Sequence, residues 1–506
     1  MSILFKIAFF YSYKKSLRLC GGSGCRENLD SLCFFLKYPF SCNKIKERFQ
    51  KDGVFLMFHT RNSSQNTAEF VLLDQLVEKD HLLRKIDQYI NFSFIIEKVK
   101  PYYSENKGRP SLDPLILFKM MFIGYLYGIR SERQLEKEIY YNMGYRWFLG
   151  LNINDPVPHH STISWNRRTR FKNTTIFQDI FDEIVLQAIN HDMVGGRVLF
   201  TDSTHLKANA NKHKYTRKTI EQDTQNYIRD LNEAIQEDRE EHGKKPLKVK
   251  EEVKAEKEIR HSTTDPESGY LYRENKPEGF FYLDHRTTDM KYNIITDAYV
   301  TPGNVHDSMP YLDRLDHQIA RFDFQVEAVA LDSGYLTTPI CKGLFDRRIF
   351  GVIAHRRYHP VRGLFPKWKF HYDSEQDRYI CPNQQTLTYS TTDRKGYRSY
   401  KSNSETCSLC PLLEKCTKSK NRQKVITRHV WEDHKEKVRQ NRLSVSGKTL
   451  YKKRKEKIER SFADSKQLHG LRYCRLRGKQ NVSEQVLLTA ACQNMKKIAT
   501  YLAKQG

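Results

Sequence analysis

The chain has 506 residues, of which 39% are hydrophobic and 12% aromatic, and its 86 lysines and arginines against 60 aspartates and glutamates give a formal net charge of +26. This length predicts two or three domains, and the hydrophobic content excludes a disordered protein. So large a positive charge indicates a polyanionic partner, of which nucleic acid is the commonest.

A membrane-spanning segment is not expected. The longest apolar run, residues 115–128, contains Lys119 and falls short of the roughly 20 residues that a spanning helix needs. The first residues lack a small-residue cleavage site, so they predict neither a signal peptide nor an anchor. The sequence therefore predicts a cytoplasmic protein.

The N-terminal part divides into two regions. Residues 1–56 mix cysteines, aromatics and lysines without a helical or strand period and are interpreted as an irregular extension. Residues 57–192 have a helical pattern. In it, Ser111 or Asp113 is the expected N-cap before Pro114, and Ser131 with Gln134 forms a capping box.

The end of this helical region carries a candidate DNA-binding element. Two short helices are predicted on either side of a turn near residues 154–158, and the second helix presents Arg167 and Arg168, which are expected to be exposed. This pattern fits a helix-turn-helix that enters a DNA groove. A plain helical subdomain with a solvated basic face fits these residues equally well.

Residues 193–506 are predicted to form a mixed α/β domain, because strand patterns alternate with helices. Two insertions interrupt it. Residues 206–275 are charged and have a narrow apolar seam, which predicts a helical hairpin. Residues 356–447 are basic, irregular and rich in cysteine. The strands are expected at residues 197–202, 279–287, 292–301, 325–335 and 348–355.

Two aspartates are the first candidate site residues. Asp202 follows the apolar segment RVLFT, and Asp332 follows VEAVAL, so each is expected to end a strand. Strand ends at the edge of an α/β sheet are where ligands and metals are held. One such aspartate is more often a turn or cap residue, but two together favour a site.

Glu459 is the third candidate. It lies on a basic helix within residues 451–478, and helical spacing places Phe462, Lys466 and the lysines at 452 and 455 on its face. A simple ion pair with those lysines is the alternative interpretation. Three carboxylates are the usual ligands for two magnesium ions, which suit phosphodiester cleavage, and the lysines would then neutralise phosphates.

These motifs, taken in order, resemble the DDE transposases of bacterial insertion sequences. The resemblance covers roughly residues 70–503 and rests on FTDSTHLKANA, YVTPGNVHDS, ALDSGY and YKKRKEKIERSFADSKQLHGLR. It implies a ribonuclease-H-like catalytic domain behind a helical DNA-binding domain. By motif, it makes Asp202, Asp332 and Glu459 the catalytic acids and the ligands of two Mg²⁺ or Mn²⁺ ions.

The family's helix signature sets a tyrosine, an arginine, the glutamate and a lysine at fixed spacings. Glu459 and Lys466 fit with six residues between them. Tyr451 and Arg454 each lie one place further from the glutamate than the signature requires, and Lys455 occupies the arginine position. The resemblance therefore implies DNA contacts by Lys466 and by either Lys455 or Arg454.

The resemblance also implies a reaction and partners. Metal-activated water would cut one strand at the end of the element, and the freed 3′-hydroxyl would attack target DNA. The partners would be the terminal inverted repeats and target DNA in the bacterial nucleoid, bound by a homodimer or larger assembly. The alternatives are a metal-dependent nuclease without strand transfer and a catalytically inactive DNA-binding regulator. Loss of one acid would favour the regulator, and none is missing.

The remaining candidates have two interpretations each. His205, His285, His306 and Asp307 could approach the site, although a structural role is expected for each histidine. Cys407 and Cys410 form a zinc-type knuckle, which Cys416 and the distant Cys381 could complete. Reduced packing cysteines are the alternative to such a structural zinc site.

Overall fold

The computed structural model describes residues 71–104, 111–221, 228–247, 256–272, 278–355 and 361–505. The predicted extension at residues 1–56 lies outside the described residues. None of the described helices is long and apolar enough to cross a membrane.

Helices form the N-terminal part of the described chain, as predicted. They are α1 (Leu73–Leu76), α2 (Leu82–Tyr89), α3 (Phe94–Val99), α4 (Pro114–Leu126), α5 (Glu132–Tyr141), α6 (Met143–Leu149), α7 (His160–Thr169) and α8 (Ile176–Asn190), with a short 3₁₀ helix at Lys100–Tyr102. The predicted caps are confirmed, because Asp113 accepts a hydrogen bond from the Leu115 amide and Ser131 accepts one from the Gln134 amide. Helix α4 is buried over most of its length, as its almost wholly apolar sequence requires.

The first half of the catalytic region contains six strands and one helix. They are β1 (Val198–Lys207), β2 (Tyr215–Glu221), α9 (Ile228–Glu241), β3 (Glu256–Ser262), β4 (Gly269–Leu271), β5 (Gly279–Asp289) and β6 (Ile295–Pro302). Strands β2 and β3 pair as an antiparallel hairpin on either side of α9. The prediction of a helical hairpin at residues 206–275 is therefore wrong. Aromatic and β-branched residues, such as those in YTRKTIE, favour strands there.

The main sheet continues after β6. Its next elements are α10 (Tyr311–Phe322), β7 (Ala328–Leu331), a 3₁₀ helix at Ser333–Tyr335, α11 (Thr338–Asp346) and β8 (Phe350–Ile353). The strand order is β4-β5-β1-β7-β8, with β6 also paired to β5. Strand β5 is antiparallel to β1 and β6, whereas β7 and β8 run parallel to β1. This confirms the predicted mixed α/β sheet.

Residues 361–429 are more regular than expected. They contain a 3₁₀ helix at Lys367–Lys369, β9 (His371–Asp373), β10 (Arg378–Ile380), β11 (Thr386–Thr392), β12 (Tyr397–Ser402), α12 (Ser404–Ser408), α13 (Leu413–Cys416) and β13 (Val425–His429). The five strands form one antiparallel sheet over a small core that includes Phe370, Tyr379 and Tyr400. The prediction of an irregular insertion is thus wrong, because the tyrosines that supply this core are spread over several short strands.

Helices complete the chain. They are α14 (Glu432–Leu443), α15 (Val445–Arg454), a π-helical segment at Lys455–Glu459, α16 (Arg460–Gln467) and α17 (Lys479–Leu502). Helix α17 packs against α4, α8 and β6, so it joins the helical region to the sheet. Gly128 and Gly470 also touch there. A Cβ on Gly128, whose φ is +67°, would lie 3.2 Å from the Gly470 amide nitrogen.

The main sheet has a packed layer on each face. Leu199, Val329 and Leu331 belong to the large core shared with α8, α10 and α17, whereas Phe200, Ala330 and Val352 pack against Ile458 and Phe462. This alternation follows from the two-residue period of a strand. The helical layer formed by residues 445–467 therefore covers the face to which Phe200 points.

Candidate active site

Strand pairing places Asp202 next to Asp332. Strands β1 and β7 run parallel, and their last paired residues are Thr201 and Leu331, so the two aspartates that follow are neighbours. Asp332 directly follows β7, in agreement with its predicted place at the end of a strand, and is the N-cap residue of the 3₁₀ helix Ser333–Tyr335. Asp202 does not end its strand, because β1 continues along β5 to Lys207, and that part of the prediction is wrong. Instead, the parallel pairing of β1 with β7 ends immediately before Asp202.

Opposing influences act on the Asp202 carboxylate. Burial raises its pKa and the nearby Asp332 raises it further, whereas Arg454 and the Ser203 amide lower it. Arg454 Nη2 lies 2.6 Å from Asp202 Oδ2, and the Ser203 amide donates to Oδ1 at 2.9 Å. The site is therefore a partly buried pair of like charges with one cation beside it. A divalent cation is stabilised in such surroundings.

A helical layer crosses the sheet above these aspartates. Phe200, Asp202 and Thr204 are alternate residues of β1 and share one face. Ile458 and Phe462 pack on Phe200, and Lys466 Nζ donates to Thr204 Oγ1 at 2.6 Å. The helix predicted to carry the third acid is thus fixed to the same strand as the first acid.

The π-helical segment explains the irregular spacing of the helix signature. A π turn closes its hydrogen bond across five residues instead of four, so it accommodates one more residue than an α turn. Lys455–Glu459 forms such a segment between α15 and α16. Arg454 is buried against Asp202, while Lys455 is exposed. The extra residue lies in the π segment. Arg454, which directly precedes that segment, therefore faces Asp202 although it lies one position further from Glu459 than the signature requires.

Glu459 is the last residue of the π segment, and its side chain is exposed. It forms no hydrogen bond or ion pair through its carboxylate with any residue that the structure describes. The alternative interpretation, a simple ion pair with Lys452 or Lys455, is therefore not supported. The carboxylate is open to a ligand from solvent.

A buried ion pair, which the sequence motifs did not predict, anchors the helix that contains Ser461 and Ser465. Arg286, opposite Asp202 on β5, is fully buried and lies 2.7 Å from Asp284 Oδ2. Its guanidinium also donates to Ser461 Oγ at 3.1 Å and to Ser465 Oγ at 2.7 Å. The available signal was the charged stretch Asp284–Arg286 inside an otherwise apolar strand.

The two arginines predicted to be exposed on α7 differ in environment. Arg168 is exposed, as predicted. Arg167 is buried, because its Nε lies 2.6 Å from Glu484 Oε2 on α17, and it also pairs with Glu132. The prediction that Arg167 is exposed is wrong, and its guanidinium cannot reach DNA from this position. Arg454 is likewise buried, with its guanidinium directed at Asp202 instead of solvent.

The histidines occupy structural positions. His285 is buried, burial lowers its pKa to about 4, and its Nε2 lies 2.7 Å from Thr301 Oγ1. The His306 ring forms a hydrogen bond with the Ser308 hydroxyl group, and the His205 ring lies edge-on to the Phe281 ring. Asp307 accepts a hydrogen bond from Ser203 Oγ at 2.8 Å on the sheet face opposite Asp202. Within the described part of the chain, the hydrogen bonds of His285, His306 and Asp307 go to Thr301, Ser308 and Ser203 and not to Asp202 or Asp332.

The carboxylates of Asp202, Asp332 and Glu459 suit magnesium in chemistry, because it prefers hard oxygen ligands. Among the described residues, the group that brings three ligand atoms within 4.8 Å of one another is Glu136, His159 and His160. Those atoms already bond within the helical region, where His160 Nδ1 lies 2.7 Å from Glu136 Oε2. Asp202, Asp332 and Glu459 are more widely spaced. A two-ion site spreads its ligands over ions about 3.5–4 Å apart, so wide spacing is compatible with that site.

The four cysteines of the small sheet lie close together without disulfide bonds. Burial raises the pKa of the Cys416 thiol, and the sulfur atoms of Cys407, Cys381 and Cys410 raise it further. The Gln385 amide nitrogen lies 3.3 Å from Cys381 Sγ. The structure thus brings the distant Cys381 to the other three, as the zinc prediction requires.

Two family models match the chain. The model described as Transposase domain (DUF772) matches residues 71–169, and the one described as Transposase DDE domain matches residues 380–499. The second match includes Glu459 but not Asp202 or Asp332. No curated protein matches the sequence.

Among solved structures, the chain is similar to a cryo-EM structure of the piggyBac transposase synaptic complex with hairpin DNA. The identity is 10% and the TM-score 0.36, over 84% of this chain and 76% of that one. A TM-score this low does not establish a common fold. The two matches, first to a transposase domain and then to a transposase DDE domain, support an insertion-sequence DDE transposase.

Proposed function

We propose that this DNA transposase binds the terminal inverted repeats of its element, cleaves a phosphodiester bond at each end, and joins the freed 3′-hydroxyl to target DNA. The observation that supports this reaction best is the register of β1 and β7. It makes Asp202 and Asp332 neighbours beneath the helical layer that carries Glu459.

Asp202, Asp332 and Glu459 are proposed to hold two divalent ions, Mg²⁺ or Mn²⁺. When bound, such ions make water a stronger nucleophile at neutral pH and stabilise the charge on the leaving oxygen. The chain contributes hard oxygen ligands, which magnesium prefers. Glu459 is open to solvent, so it can complete the site when substrate and ions arrive.

Other residues position these acids and the DNA. Arg454 holds Asp202 in place and favours its ionised form, which makes Arg454 a positioning residue. Lys466 lies on the same sheet face as Asp202, while Lys455 and Arg168 are exposed. We assign these three cations to contacts with DNA phosphates, which neutralise the backbone and set its register.

A strand-transfer assay tests the proposed reaction. End-labelled DNA carrying the element's terminal repeat is incubated with a supercoiled target plasmid and Mg²⁺. Label is expected to appear both in a cleaved product and covalently joined to the plasmid. Cleavage without joined product would establish the nuclease alternative, and DNA binding without cleavage would establish the inactive regulator.

Two further proposals concern the setting of the reaction. Synapsis of two element ends requires at least two active sites, so the active complex is proposed to be a homodimer or larger assembly on DNA. In a bacterial cell, such an assembly would act on the nucleoid.

Cys381, Cys407, Cys410 and Cys416 are proposed to bind one structural zinc ion. Zinc is held tetrahedrally by four thiolates, and the hydrogen bond from the Gln385 amide to Cys381 Sγ stabilises such a thiolate. The four sulfur atoms do not form a group within 4.8 Å, so binding requires them to draw closer. The ion would join β10 to the loops around α12 and α13.

Metal analysis tests the zinc site without reference to catalysis. Purified wild-type protein is expected to contain about one zinc per chain. Cys407→Ser/Cys410→Ser is expected to lose that zinc and to unfold at a lower temperature. Cys341→Ala, which removes a buried cysteine from α11, is the control and should retain the metal. A wild-type protein purified without chelators that contains no zinc would instead support packing cysteines.

A further inference from the structure

A basic groove borders the helix that carries Glu459. It has a volume of about 600 Å³ and runs between the 456–469 segment and the last turns of α17. Lys457 and Arg460 line one wall, while Lys496, Lys497 and Lys504 line the other. Residues three and four positions apart share a helix face, so Lys457 and Arg460 lie on one side of their helix.

The charges in this groove are not balanced. It contains those five cations and two carboxylates, Glu456 and Asp464. None of the five cations forms an ion pair with a residue that the structure describes. Elsewhere in the described chain, cations such as Arg314, Arg321 and Arg347 are paired with aspartates. Mutual repulsion in the groove would be relieved by a polyanion.

Lys497 lies deepest among these cations. Its Nζ donates to the carbonyl oxygen of Asn293. The pKa of Lys497 is lowered to about 7, chiefly by burial and also by the neighbouring cations Arg286, Lys457 and Arg460, while Asp464 opposes them. A bound phosphate would favour the charged form of this lysine and thereby gain a contact in a partly desolvated position.

Two tyrosines border the same groove. The rings of Tyr292 and Tyr501 lie 4.5 Å apart, and their hydroxyl groups are 2.9 Å apart. Tyr292 is 36% exposed. A basic groove with accessible aromatic rings is the composition of sites that bind single-stranded nucleic acid, because the cations follow the backbone and the rings stack on bases.

The groove borders the helix that carries the proposed catalytic acid, although Glu459 itself is not among its lining residues. Glu456, Lys457 and Arg460 line it, and Glu459 lies between them in the chain. We propose that the groove holds a single DNA strand that extends from the phosphodiester bond at the active site. This inference rests on the proposed function, since Glu459 gives the groove its place in the reaction.

Binding to an unpaired strand tests the groove directly. Full-length protein is titrated with a fluorescent oligothymidine of about 10 nucleotides, within the usual site sizes for a single strand, at several salt concentrations. Lys457→Gln/Lys496→Gln/Lys504→Gln is compared with the matched triple arginine variant at these positions. For the glutamine variant, the slope of log affinity against log salt is expected to be smaller in magnitude by about two, since each phosphate contact contributes about 0.7. The arginine variant should retain the slope.

Cross-linking supplies a second readout that does not depend on folding of the variants. Wild-type protein irradiated with an oligonucleotide containing 5-iodouracil is expected to yield a cross-linked peptide carrying Tyr501 or Tyr292. An unchanged salt slope in the glutamine variant, or cross-links only elsewhere, would overturn the inference. If the glutamine variant lost as much affinity for a blunt duplex as for the single strand, the inference would also be overturned.

Cleavage of the element ends is measured with the same preparation of wild-type protein. Cleavage without strand binding in the groove would overturn this inference alone. Strand binding in the groove without cleavage would overturn the proposed reaction alone.

Discussion

Arg167→Met is expected to destabilise the protein by roughly 3–5 kcal/mol, because it leaves a buried carboxylate without its partner. Arg167 Nη2 lies 2.8 Å from Glu484 Oε1, and Glu484 is 1% exposed. The Tyr125 hydroxyl donates to the same carboxylate at 3.2 Å, so one buried network joins α4, α7 and α17. Thermal unfolding should shift downward by at least about 5 °C.

Two controls separate this effect from loss of surface charge. Arg168→Met removes the adjacent, exposed arginine and should change the free energy of unfolding by no more than about 0.5 kcal/mol. Arg167→Met/Glu484→Leu removes both charges and should recover part of the lost stability. Equal melting temperatures for Arg167→Met and Arg168→Met would contradict the buried network.

Asp332→Asn is expected to abolish cleavage and joining while leaving DNA binding intact. The substitution keeps the size of the side chain but removes one proposed metal ligand. Loss of a single preorganised charged group at a reaction centre costs about 10²–10³-fold in rate, and loss of a metal ligand should reach at least the upper end of that range. Binding is measured by mobility shift and cleavage by gel analysis of labelled ends.

The matched control is Asp346→Asn. Asp346 is an exposed carboxylate on α11 whose Oδ2 lies 2.7 Å from Lys342 Nζ, away from the proposed metal ligands. Its loss should leave cleavage unchanged, because exposed ion pairs contribute little to stability. If Asp332→Asn cleaved the ends at the wild-type rate, its assignment as a catalytic acid would be wrong.

Much of the fold could be predicted because local patterns and global packing agree. The apolar run of α4 and the caps at Asp113 and Ser131 all specify the structure that forms. The strands of the main sheet were recognised for the same reason. The small sheet at residues 371–429 was not, because its strands are mostly short and its core side chains are tyrosines among charged residues.

The candidate site shows the limits of sequence spacing more clearly. Spacing alone made Lys455 the counterpart of the signature arginine, because an α-helical period was assumed throughout. The π segment changes that period for one turn, and no residue type in KEKIE marks such a turn. The burial of Arg167 was missed for a related reason. Its partner Glu484 lies more than 300 positions away, beyond any local pattern.

Glu459 is proposed to be a metal ligand instead of a surface charge paired with lysine. Because Glu459 is exposed and forms no ion pair with any described residue, Glu459→Gln should leave melting temperature and DNA binding unchanged. Cleavage of the cognate element ends is then measured over a range of Mg²⁺ concentrations for both proteins. We expect magnesium-dependent cleavage by the wild type and a loss of about 10³-fold in Glu459→Gln. Equal cleavage by the two proteins would contradict this proposal.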